Sequence, residues 1–244
     1  RKQYSLSLMI ICHDKKFIFF KPLKTAGSSV EFSLSDVCVD KDIMTGGTQL
    51  ESKIGFTQRN NIDKASGRKI FHSHTWPELL YRKTNSLWPE YLKISMIRNP
   101  WDLCVSYYWW TMHEYPSRSL MITEADSEHL LKRKFRLFLE TPGEFTDSIE
   151  GKSRVFMSDA TTYLSKTNLS FIDSSVNIYL KYESLQKDYN TFRKLIGSDT
   201  EDLPRLKSKQ RKSPSRYQLY YNEYTKHLVK DKFGLLIDRF DYIF

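Results

Sequence analysis

Apolar positions along the chain fall into short runs that alternate with longer helical patterns. Residues 7–12 and 16–20 read as two strands, with Asp14-Lys-Lys16 as the turn that makes them a hairpin. Pro22 ends the second ladder because it has no N–H to give, and Val30, Phe32 and Leu34 open a segment with helical potential. Residues 39–68 are polar and glycine-bearing, which predicts a long surface excursion on the acceptor side of a site. A short strand over 69–73 precedes Thr75-Trp-Pro-Glu78, which has the form of a capping box with proline in the first turn. Residues 92–97 are a further strand. After Arg98-Asn-Pro100, a helix over 101–113 repeats Trp101, Cys104, Val105, Tyr108, Trp109 and Met112 at helical spacing.

The second half continues the alternation. Residues 119–140 read as a helix with an acidic start and a basic middle, broken by Thr141-Pro-Gly143. A strand over 176–182 and a helix over 186–196, stopped by Gly197, come next. A basic stretch over 203–215 leads into a last helix over 215–232. Strands that alternate with helices predict an α/β fold with a central, mostly parallel sheet flanked by helices. At 244 residues the chain fits one domain over 1–244, with 39–68 and 114–175 as excursions.

Composition adds three constraints. No run of 18 apolar residues exists, so nothing predicts a membrane span. Cys12, Cys38 and Cys104 are spaced as neither a disulfide framework nor a zinc motif, which points to buried thiols in a reducing, cytoplasmic setting. A chain beginning at Arg1 leaves room for an upstream targeting or anchor segment. Lysine and arginine outnumber acidic residues by 38 to 29, giving a net charge of +9 that favours polyanions or anionic ligands.

Two strand-to-helix turns carry the candidate chemistry. The first, Lys24-Thr-Ala-Gly-Ser-Ser29, combines a lysine, three hydroxyls and a glycine that lets backbone approach a ligand, just ahead of a helix. It is not a Walker loop, because no glycine lies at the required spacing before a Gly-Lys-Ser/Thr. The second places Arg98 at a strand end and Ser106 on the following helix. In a parallel sheet both turns open on the crevice beyond the strands' carboxyl ends.

Together these turns resemble those of sulfotransferases that use 3′-phosphoadenosine 5′-phosphosulfate (PAPS). Lys24-Thr-Ala-Gly-Ser-Ser29 is similar to the family's 5′-phosphosulfate loop, although Pro22 is displaced by one residue from its frequent place next to the lysine. Arg98-Asn-Pro-Trp-Asp-Leu-Cys-Val-Ser-Tyr-Tyr108 is similar to its 3′-phosphate motif. Lys181-Tyr-Glu-Ser-Leu185 and the ending from Tyr220 to Phe244 resemble later segments, the ending that of the carbohydrate branch.

The resemblance implies a P-loop-like three-layer fold and in-line transfer of a sulfuryl group from PAPS to a hydroxyl or amine, leaving PAP and needing no metal. It implies that Lys24 bridges to the leaving phosphate oxygen and that Thr25, Ala26, Gly27, Ser28 and Ser29 line the phosphosulfate. Arg98 and Ser106 would hold the 3′-phosphate, Tyr182 would touch the nucleotide, and Arg211, Lys212 and Ser213 would close over it. A general base is expected in His74 or His72, which alternate onto one side of an extended segment; Glu31 is a less favoured base. The acceptor expected is a glycan or other small molecule. The rival readings are a small-molecule kinase and a basic module that binds nucleic acid or another polyanion. The first lacks the Walker pattern, and the second lacks aromatics interleaved with its basic run.

Overall fold

The computed structural model describes residues 9–45, 58–67, 70–71, 77–84, 86–114, 117, 119–140, 144–146, 153–155, 159–206 and 216–244. Two compact units form, one from Arg1–Arg98 with Ser170–Leu206 and the other from Asn99–Leu169 with Lys207–Phe244.

The first unit is built on five strands: β1 (Ile10–Cys12), β2 (Phe17–Phe19), β3 (Ile43–Met44), β4 (Leu92–Ile97) and β7 (Ile178–Lys181). Their order is β3-β1-β2-β4-β7. β2, β4 and β7 pair in parallel, β1 runs antiparallel to both its neighbours, and so four of the five strands point the same way. The sheet is buried on both faces, which is why its strands read as continuous apolar runs. Ile10, Cys12, Phe17, Phe19, Ile94 and Met96 meet Val30 and Leu34 of α1 (Gly27–Leu34) on one face. Tyr189 and Phe192 of a later helix, Leu185–Leu195, complete that layer. Ile11, Ile18 and Phe20 meet Leu80 of α2 (Pro77–Thr84), with Phe71, Phe171 and Val176, on the other. Helix, sheet and helix thus form three layers, and the α/β expectation holds.

Two contacts clamp α1 to Leu185–Leu195. The hydroxyls of Ser33 and Tyr189 share a hydrogen bond. Arg193, almost fully buried, grips Asp36 just beyond α1 with two nitrogens, at 3.1 and 3.0 Å, and also reaches Glu201 at 3.1 Å. Gly197 then stops the longer helix in a left-handed conformation, as expected (φ 67).

The second unit packs around α3 (Pro100–Glu114), which is nearly all buried. Asn99 is its N-cap: the side-chain oxygen accepts the amides of Trp101 and Asp102, at 3.0 and 3.3 Å, and Pro100 occupies N1. The Asn99 amide nitrogen donates to Ile243 O, and Phe244 lies edge-on to Trp101 and Tyr221, so the closing residues belong to this core. Around α3 stand α4 (Glu128–Glu140), α5 (Ala160–Leu169), α7 (Glu223–Lys232) and α8 (Gly234–Phe240), with α6 being Leu185–Leu195 of the first unit. A hairpin of β5 (Glu144–Thr146) and β6 (Ser153–Val155) completes the elements.

Several boundaries differ from the sequence reading. α4 begins at Glu128 rather than 119, because the Ser127 hydroxyl accepts the Leu130 amide and Asp126 ties down a turn at Thr123. The helix expected over 215–232 starts at Glu223, because Asn222 and Thr225 form a reciprocal capping box; a 3₁₀ turn at Tyr217–Tyr220 precedes it, and the further helix α8 follows. The expected strand over 69–73 and the cap at Thr75 lie largely outside the described residues. Of that strand, only the bend at 70–71 is described, where Asn61 binds the Phe71 backbone in both directions.

Replacing Arg193 with methionine keeps the bulk but removes the charged hydrogen bonds that fix the end of α1. A loss of about 2 kcal/mol is expected, read as a lower urea midpoint with unchanged m-value.

Candidate functional site at the carboxyl ends of β2, β4 and β7

Three adjacent parallel strands deliver their carboxyl ends to one edge of the first unit's sheet. β2 leads into the loop 20–26, β4 runs directly into Arg98, and β7 directly into Tyr182. The Phe20 amide still pairs with Ile94 O at 2.8 Å, so the loop departs from a fixed point.

Lys24 and Ala26 adopt the left-handed conformation, with φ of 62 and 67. Neither is glycine, and each costs about 1–2 kcal/mol in that region. Strain of this kind persists only where surrounding contacts impose it. Here the Thr25 hydroxyl donates to Pro22 O at 3.1 Å, and Arg98 Nη1 donates to Lys24 O at 2.8 Å. The consequence lies at the start of α1. Ala26 is the N-cap and has no side-chain acceptor to offer, and the Ser29 amide turns back to Ala26 O. Among the described residues, no acceptor meets the amides of Gly27 and Ser28. Two amides and the positive end of the helix dipole therefore converge beside Lys24, and such a terminus suits a phosphate or sulfate oxygen.

Arg98 ties the three strand ends together. It is buried, its guanidinium carbon lies 3.8 Å from the centre of the Tyr182 ring, and its donated hydrogen bond fixes the β2 loop. The planar fork allows stacking and in-plane hydrogen bonding at once, which a lysine ammonium does not. Ser29 Oγ accepts the Leu206 amide at 3.2 Å, so the chain enters the basic stretch from a point anchored on α1.

The sequence-predicted residues Lys24, Thr25, Ala26, Gly27, Ser28, Ser29, Arg98 and Tyr182 are thus brought to one sheet edge. Ser106 lies half-buried on α3 in the second unit. His72, His74, Arg211, Lys212 and Ser213 lie outside the described residues. Two expectations change. Glu31 is fully buried and forms an ion pair with Lys21 at 3.2 Å, so it does not serve as a base exposed to substrate. Gly27 was expected to admit a ligand, yet a Cβ there would fall 2.3 Å from Lys21 Cγ; the glycine makes room for the lysine stem on its way to Glu31. Sequence reasoning missed Lys21 entirely. A lysine next to a proline carries no signal of burial, and its partner ten residues on is set by the turn into α1.

No protein-family model matches the chain, and no curated protein matches it by sequence. Among solved structures, it is similar to a sulfotransferase from Alicyclobacillus acidocaldarius. The identity is 12%, covering 94% of this chain and 96% of that chain, with a TM-score of 0.43.

Gly27→Ala should destabilise the first unit by about 1–3 kcal/mol, the usual cost of overpacking. Thermal unfolding would detect it, and an unchanged melting temperature would mean that Lys21 relaxes freely.

Proposed function

We propose that this chain is a PAPS-dependent sulfotransferase acting on a hydroxyl or amine of a carbohydrate acceptor. The observation that carries the reading is the uncapped start of α1, held in a strained left-handed turn by Arg98. The segments that form it are those whose sequence resembles the phosphosulfate and 3′-phosphate motifs. The carbohydrate assignment draws on the +9 charge and on the sequence of the closing segment.

When bound, PAPS supplies the sulfuryl group and a good leaving group. The amides of Gly27 and Ser28 would receive oxygens of the phosphosulfate, and the Lys24 ammonium would neutralise the charge that grows on the bridging oxygen as its bond to sulfur breaks. Arg98 brings a second cation to the same sheet edge, where it would support the 3′-phosphate while holding Lys24 through its carbonyl. The acceptor oxygen or nitrogen would form the new bond to sulfur, and its proton would pass to the base, assigned from sequence to His74 with His72 as the alternative. PAP leaves.

The test is transfer from labelled PAPS to a panel of glycans and small hydroxylated acceptors, with calorimetry for PAP. Lys24→Ala should lower kcat by about 10²–10³, the usual effect of removing one group that stabilises developing charge. Arg98→Ala should weaken PAP binding by about 10–100-fold, in line with the loss of charged hydrogen bonds. Transfer from labelled ATP instead, or no transfer together with no PAP binding, would overturn the proposal.

A further inference from the structure

At the other end of the sheet, where Cys12 pairs with Phe17 at the start of β2, three side chains converge inside the first unit. Cys12 ends β1, Cys38 follows the 3₁₀ turn Ser35–Val37 that prolongs α1, and Asp42 stands just ahead of β3. Their sulfur and oxygen atoms lie within 4.8 Å of one another. Cys12 and Asp42 are fully buried, and Cys38 is 9% exposed. Nothing in the spacing of these residues announces the cluster; the hairpin and the return of the chain along β3 create it.

The Asp42 carboxylate is the informative member. A buried carboxylate normally has a cation for a partner, because taking the charge out of water is expensive. Here the His13 amide donates to Oδ1 at 2.6 Å, the Val39 amide to Oδ2 at 2.8 Å, and the Cys12 thiol lies 3.3 Å from Oδ2. Among the described residues no lysine, arginine or histidine pairs with it. Of the two thiols Cys12 is the better prepared, while the Cys38 thiol donates to Leu34 O at 3.2 Å, a bond it gives up on losing its proton to a metal. The Lys15 amide points at Cys12 Sγ at 3.5 Å, an arrangement that supports a thiolate. Arg59 donates to the carbonyls of Cys38 and Val39, at 3.1 Å each, and so sets one positive charge beside the group.

We propose that Cys12, Cys38 and Asp42 bind a single divalent zinc ion that fastens β1, the end of α1 and β3 together. Two thiolates and a carboxylate are a borderline-soft set suited to zinc, and water at the Cys38 side would supply the fourth ligand. With both thiols deprotonated, three negative charges meet the two of the ion and the one of Arg59. The amides that donate to Asp42 and Cys12 then aim these ligands at the ion. The ion has no part in transfer chemistry: its site is structural, and it stands whether or not the chain uses PAPS.

Cobalt(II) is the probe. The protein, reduced and stripped with a chelator, is titrated with Co²⁺ and then with Zn²⁺. One equivalent of Co²⁺ should produce thiolate-to-cobalt charge-transfer absorption, with release of protons, and Zn²⁺ should abolish it. Zn²⁺ should raise the melting temperature of the wild type, leave that of Cys38→Ser unchanged, and protect Cys12 and Cys38 from alkylation. Asp42→Asn should weaken binding by at least about tenfold. If the wild type shows no charge-transfer band, or if folded Cys38→Ser keeps it, the proposal fails. Recovery of a Cys12–Cys38 disulfide from protein purified without oxidant would also overturn it, since the pair would then be a redox couple.

Discussion

The hydrogen bond from Arg98 to the Lys24 carbonyl is the constraint on which the candidate site rests. It joins the end of β4 to the loop after β2, and the Tyr182 ring brings in the end of β7. Without it, Lys24 and Ala26 would have little reason to remain left-handed, and α1 would be free to acquire an ordinary cap. The bond converts a property of the sheet, three parallel strands ending side by side, into a local one, a helix start whose amides stay available. A cation thus fixes the backbone that is to receive an anion, and the loop is shaped before any ligand arrives.

Beneath the loop lies a second layer of support. Lys21 passes under Gly27 to reach Glu31, so one buried ion pair links the strand end to the second turn of α1. Such a pair adds little net stability, but breaking it would leave a buried charge uncompensated. Its effect is to set the angle at which the helix leaves the loop. At the far end, Arg193 holds Asp36 against the neighbouring helix, and the Cys12–Cys38–Asp42 cluster ties the following residues to the sheet. The helix that presents the amides is therefore anchored at both ends.

Much of this was legible in the sequence, for identifiable reasons. The strand at 92–97 and the helix beyond Arg98-Asn-Pro100 follow directly from apolar runs, whereas the cap at Asn99 shows only in its hydrogen bonds to Trp101 and Asp102. Lys24 and Arg98 could be picked out because each stands at a strand's carboxyl end next to a helix start. α5 escaped, since its buried stripe is Thr161, Leu164, Ser165 and Asn168, which hydropathy does not register. β3 is two residues long and exists only through its pairing with β1. Lys21 with Glu31, and the two cysteines with Asp42, are tertiary meetings that no local pattern encodes. The left-handed turns were hidden for a related reason: alanine and lysine do not advertise that conformation as glycine would.

The central claim is that the amides at the start of α1, beside Lys24, form an anion site. It is tested most directly by amide resonances of ¹⁵N-labelled protein during titration with PAP. Large, saturable shifts are expected at Gly27 and Ser28, reporting a single dissociation constant that rises about 10–100-fold in Arg98→Ala. Saturable PAP binding that leaves Gly27 and Ser28 unmoved would contradict it.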